Sequence, residues 1–134
     1  MVDDDDAIRA LVHTVLRRRG LHVDIARNGV EAMERIRVCR YVLVILDLMM
    51  PMMSGYEVLS QLSAIAEPVR PHVLVLTAGL EPRTFDTRIV IGTIHKPFDI
   101  ALLLDTVLGV LHAIPEMIQG SDCPPDTKGL EKPN

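Results

Sequence analysis

Five polar side chains stand where they could do chemistry together. Asp3 and Asp4 lie at the acidic start, and Asp47 closes the apolar run Val42-Leu43-Val44-Ile45-Leu46. Thr77 closes Val73-Leu74-Val75-Leu76, and Lys96 follows a further apolar stretch at 90–94. Carboxylates that gather cannot all stay ionised cheaply; they hold a proton or a cation. An all-oxygen donor set suits Mg2+, which keeps several waters and shares a phosphate oxygen. A lysine opposite can pair with an anion, and a threonine hydroxyl can bond its oxygen. Such a set suits transient placement of a phosphoryl group on a carboxylate. Asp47 is the best nucleophile candidate because it ends the most buried run. Taken alone, it could equally cap the turn that leads to Pro51.

What gathers the five is the order of the elements. Ile8, Leu11, Val12, Val15 and Leu16 form a helical stripe, capped by Asp5 or Asp6 and ended by Gly20. Arg17-Arg18-Arg19 complements the end of that helix dipole. Leu21, Val23 and Ile25 alternate with polar residues and predict a half-buried strand. Asn28-Gly29 reads as a turn before a helix carrying Val30, Met33 and Ile36. The run at 42–46 predicts a strand covered on both faces. A helix follows from about Ser54, then strands at 73–77 and 90–94, with a weak, interrupted segment from Gly79 to Arg88 between them. Asp99 caps a last helix with Ile100, Leu103, Leu104, Val107, Leu108 and Leu111 in register. Beyond Pro115 periodicity disappears, which predicts one domain over 1–114 and a disordered tail or linker over 115–134.

Alternating strands and helices predict α/β architecture with a doubly wound parallel sheet. In the flavodoxin-like order 2-1-3-4-5, the first and third strands are neighbours, and every strand's carboxyl end lies on one edge. Asp3, Asp4, Asp47, Thr77 and Lys96 then converge there. The first strand is nearly absent, because only Met1 and Val2 precede the acidic pair. A central strand that short leaves its neighbours unpaired.

With 134 residues, about half of them apolar and none of them Trp, the chain can bury one core of aliphatic side chains. A net charge of −4 gives no electrostatic footprint for nucleic acid or acidic membranes, and no apolar stretch reaches spanning length. Cys39 and Cys123 have neither metal-ligand spacing nor a disulfide framework, which fits a reduced, cytoplasmic setting. Met49, Met50, Met52 and Met53 make a flexible apolar loop suited to packing or to a partner helix.

The chain resembles the response-regulator receiver domain of two-component signalling. The match is carried by Val2-Asp3-Asp4-Asp5 with Ala7-Ile8-Arg9, by Asn28-Gly29-Val30-Glu31-Ala32, and by Leu46-Asp47-Leu48-Met49-Met50-Pro51 with Ser54-Gly55. Leu76-Thr77-Ala78 and Lys96-Pro97-Phe98 extend it, over about 1–113 in all. The resemblance implies that Asp47 accepts phosphate from a histidine kinase or phosphotransfer protein. It also implies that Asp4, Asp47 and the Met49 carbonyl ligate Mg2+, with Asp3 acting through water. Thr77 and Lys96 would contact the phosphoryl group, and the Lys96–Pro97 bond would be cis. Such a domain is a phosphoacceptor rather than an enzyme, and it switches the binding of a downstream protein.

Thr93 departs from the aromatic residue that the family often places there, and the stretch from Thr77 to Lys96 is short. These departures and the short first strand would suit a receiver-like module that works by contact alone. Intact Asp47, Thr77 and Lys96 argue against it. A phosphatase of the haloacid-dehalogenase type would need a second acid two residues after Asp47, where Met49 stands.

Overall fold

The computed structural model describes residues 1–66, 70–79, 85–86 and 88–113. Helix α1, Asp6–Arg18, begins where the Asp5 carboxylate accepts from the backbone N–H groups of Ala7 and Ile8. It ends before Gly20, whose φ of +84° is left-handed. Helix α2, Gly29–Val38, starts where Asn28 accepts from the Glu31 N–H. Asn28-Gly29 is therefore a helix cap and first helical residue rather than a free-standing turn. A Cβ at Gly29 would lie 2.5 Å from the Met53 carbonyl oxygen, so the close approach needs glycine.

Strand β1, Leu43–Asp47, leads to helix α3, Gly55–Leu62, which opens with a reciprocal capping box between Ser54 and Glu57. Strands β2, His72–Thr77, and β3, Val90–His95, precede helix α4, Ile100–His112, capped by Asp99. The three strands form a parallel sheet in the order β1-β2-β3 and correspond to the third, fourth and fifth strands expected from the sequence. Side chains alternate between its faces. Val44, Leu46, Val73 and Val75 pack with α2 and α3 through Met33, Val58 and Leu62. Ile45, Leu74, Leu76 and Ile94 pack with α1 and α4 through Val12, Leu16, Leu103 and Val107.

Of the five strands expected from the sequence, three form among the described residues, and the other side of this sheet is sparser. Val2 makes only single parallel bridges, to Leu46 on one flank and to Ala26 on the other. Residues 21–25 do not form a strand despite their alternation; the pairing on this flank is the single bridge between Val2 and Ala26. The segment is held at its start by Leu21 N–H donating to the Leu16 carbonyl at 3.3 Å and toward its end by the Met1 nitrogen donating to the Asp24 carbonyl at 3.0 Å, and the following Ala26 N–H donates to the Met1 carbonyl at 2.9 Å.

Cys39 caps the end of α2, buried, and is not a free thiol, against the reduced state read from the sequence. Most of the weak segment after Gly79, and the tail from 115, lie outside the described residues. Among the described residues no helix is long and apolar enough to cross a membrane.

Candidate functional site

The carboxyl edge of the sheet collects the polar residues because each apolar run stops there. Asp47 is the last residue of β1 and Thr77 the last of β2; both are buried. Lys96 follows β3, and its N–H donates to the Thr77 carbonyl at 2.8 Å. The short Val2 segment is sufficient at this edge: Asp47 N–H donates to the Val2 carbonyl at 2.9 Å, which sets Asp3 beside Asp47. Gly55 lets α3 start against the end of β1, since a Cβ there would lie 2.6 Å from both the Asp47 carbonyl oxygen and Leu48 Cα.

Asp3 is fully buried, with Oδ1 accepting from the Asp5 N–H at 2.9 Å and Oδ2 accepting from Lys96 Nζ at 2.9 Å. The same ammonium lies 3.5 Å from Asp47 Oδ2, while Asp47 Oδ1 accepts from the Met49 N–H at 3.2 Å. Asp4 is exposed at the rim. Asp3, Asp4 and Asp47 each offer a carboxylate oxygen, and the three oxygens lie within 4.8 Å of one another.

Burial pushes the Asp47 carboxyl up to about 6, and the Asp3 charge adds to the rise; Lys96 and the Met49 N–H oppose it. Burial alone would lower the Lys96 ammonium, but its bond to Asp3 and the charges of Asp3 and Asp47 outweigh that and hold it above its ordinary value. One lysine therefore leaves the cluster short of positive charge. The all-oxygen donor set and this deficit fit a hard divalent cation such as Mg2+, which binds through one or two carboxylates and keeps several waters.

The structure thus brings together Asp3, Asp4, Asp47 and Lys96 out of the expected set. Thr77 stands at the same edge, its Oγ1 accepting from the Gly79 N–H at 3.3 Å. Met49 is exposed beside Asp47, His95 faces solvent, and the Lys96–Pro97 bond is cis. Sequence reasoning missed the role of Arg9. Its buried side chain donates from Nη1 to the Asp3 carbonyl at 2.8 Å and pairs with Asp6, bracing the acidic turn. The available signal was an arginine one residue after Ile8, on the border of an apolar stripe with carboxylates one turn earlier. Asp24, Tyr41 and Arg35 also meet behind Met1, a polar cluster whose members lie too far apart in sequence to be paired by pattern.

Comparison with known proteins agrees with this geometry. The model of the response regulator receiver domain matches residues 1–108. Sporulation initiation phosphotransferase F of Bacillus subtilis (strain 168) is 34% identical over 110 residues, covering 80% of this chain and 87% of that protein. The chain spans only 33–55% of several other curated relatives, which are longer regulators. A CheY-like receiver domain protein from Methanospirillum hungatei JF-1 superposes with a TM-score of 0.74 at 27% identity, covering 84% of this chain and 92% of that one. Response regulator TrrA from Thermotoga maritima, solved in complex with Mg2+-BeF, gives a TM-score of 0.70 at 32% identity, covering 82% and 95%. The chain belongs to the response-regulator receiver domain family.

Proposed function

We propose that the chain is a phosphoacceptor switch in which Asp47 is phosphorylated in the presence of Mg2+. The observation that carries this reading is the convergence of three carboxylates and one lysine on the carboxyl edge of a parallel sheet. A carboxylate oxygen of Asp47 attacks phosphorus and forms an O–P bond. The bond from phosphorus to the donor breaks, and the donor leaves with the electron pair: an imidazole nitrogen of phosphohistidine, or an acyl oxygen of a small phosphodonor. Mg2+ would be held by Asp4, Asp47 and the Met49 carbonyl, with Asp3 acting through water, and would neutralise charge on the phosphoryl oxygens. Lys96 supplies the fixed positive charge on the other side, already countering Asp3 and Asp47. The Thr77 hydroxyl bonds a phosphoryl oxygen.

Family membership implies a histidine kinase or phosphotransfer protein as phosphodonor. In this reading the sheet is a five-position sheet in the order 2-1-3-4-5 whose first two positions are single bridges. Phosphorylation shifts the population of two packings of the β2–β3–α4 face and so changes affinity for a downstream protein. Thr93 on that face is exposed. The test is intact mass after incubation with acetyl phosphate and Mg2+. One phosphoryl group gained by the native chain, and none by Asp47→Asn or without metal, is expected. No gain by the native chain would overturn the reading in favour of a contact-only module.

A further inference from the structure

Helix α2 ends at Cys39, which is only 5% exposed and is held in a disulfide. Its N–H donates to the Arg35 carbonyl at 2.8 Å, so the sulfur is carried on a fixed helix end. The chain has two cysteines, and the other is Cys123, beyond the described residues. Connectivity puts Cys39 and the end of α4 at one edge of the sheet, opposite the acid cluster. Helix α2 begins at Gly29 against Met53, in the loop that follows Asp47, and runs back toward the start of β1. Helix α4 follows β3 and Lys96, and it runs back in the same sense. Leu111, in the last turn of α4, lines one cleft together with Arg40 and Tyr41, the two residues after Cys39. Cys123 lies ten residues beyond Ala113, and ten extended residues reach up to about 33 Å. A domain of this size has a radius of gyration of about 13 Å, so that reach spans the edge without any movement of α4.

We propose that Cys39 and Cys123 form a reversible disulfide that pins the segment after α4 to the end of α2. The co-reactant is a small-molecule disulfide such as oxidised glutathione. One protein thiolate attacks a sulfur of that disulfide; a mixed S–S bond forms, and one small thiol leaves with the electron pair. The second protein thiolate then attacks the protein sulfur of the mixed disulfide; the protein S–S bond forms, and the second small thiol leaves. Two protein thiols thus lose two protons and two electrons, and the reagent is reduced to two thiols. The loop so closed contains β1, α3, β2, β3 and α4. The crosslink therefore restricts the unfolded chain far more than the native one, in which both ends already stand at one edge. A Cys39 that merely filled the end of α2 as a small apolar side chain would keep its thiol, which its bonded state contradicts. The clasp lies at the edge away from Asp47, and the proposal does not depend on phosphorylation.

The test uses the full chain, either reduced with dithiothreitol or oxidised with oxidised glutathione, then unfolded and treated with iodoacetamide. Intact mass is expected to show two alkylated thiols in the reduced protein. The oxidised protein is expected to show none, and to carry no glutathione. Proteolysis without reductant should release the Cys39 and Cys123 peptides joined to each other. Urea unfolding should give a higher midpoint for the oxidised chain than for the reduced one. Cys123→Ser, which cannot close the loop, should keep the reduced midpoint under both conditions. Two alkylated thiols after oxidation would overturn the proposal. So would glutathione retained on either cysteine, a disulfide between two copies of the chain, or equal midpoints for the oxidised and reduced protein.

Discussion

The two flanks of β1 are built differently. Toward β2 the pairing is continuous from Leu43 with His72 to Asp47 with Leu76, and the ladder passes on to β3. Toward the amino terminus it is a single bridge through Val2. Both flanks nonetheless deliver their polar residue to the same edge, Thr77 and Lys96 from one side and Asp3 from the other. The difference teaches that a site at the carboxyl edge needs only the last paired residue of each strand, whereas cohesion of the sheet needs its whole length. The acids and the lysine gather at the edge where cohesion is least.

The largest expected effect lies where both flanks meet. Leu46 is fully buried between β2 and Val2. Leu46→Ala should cost about 2–5 kcal/mol in urea unfolding, and a loss below about 1 kcal/mol would mean that this half of the core can collapse around the gap. Gly55→Ala puts a methyl group against Asp47 and Leu48 backbone. A loss of about 1–3 kcal/mol is expected, together with slower phosphorylation by acetyl phosphate, because Asp47 must shift. Unchanged stability and rate would show that the end of β1 yields easily.

A titration sharpens the contrast at the acid cluster. The folded value of Asp47, about 6, lies above its ordinary 3.8, so between those values the folded protein keeps a proton that the unfolded chain has released. Stability from this group therefore falls as pH rises from about 4 through 6, and the cost is complete above 6. Without divalent cations, Asp47→Asn should raise the melting temperature at pH 7, by on the order of 1 kcal/mol in stability, and the gain should vanish near pH 4. An Asn variant less stable than the native chain at pH 7 would mean that the Lys96 pairing outweighs burial. The smallest effect is expected on the sparse flank. Leu21 is half-buried against Leu16 and Met1 in the core on that flank, and Leu21→Ala should cost less than about 1 kcal/mol; a loss matching that of Leu46→Ala would erase the comparison.

Caps and strand ends were legible because they depend on near neighbours. Asp5, Ser54 with Glu57, and Asp99 cap the helices that their spacing predicts, and Asp47 and Thr77 end their apolar runs as expected. Residues 21–25 misled because alternation reports which way side chains would point, not whether a neighbouring backbone is there to pair. Asn28-Gly29 misled because the same dipeptide serves a turn or a helix start, and only Met53 above Gly29 distinguishes them. Arg9 was overlooked because its partner is a carbonyl, which no residue type reveals.

By itself the sequence determined the alternation of strands and helices, the two-sided burial of β1 and the identity of the acids, threonine and lysine at the strand ends. Those follow from side-chain chemistry and local backbone preference. The tertiary structure alone decided that Asp3 is sealed against Lys96 while Asp4 faces solvent, that Asp47 is held with too little positive charge around it, and that the first strand survives as one bridged residue. Charge balance and strand pairing are set by groups distant along the chain, and only folding brings them within a few ångströms.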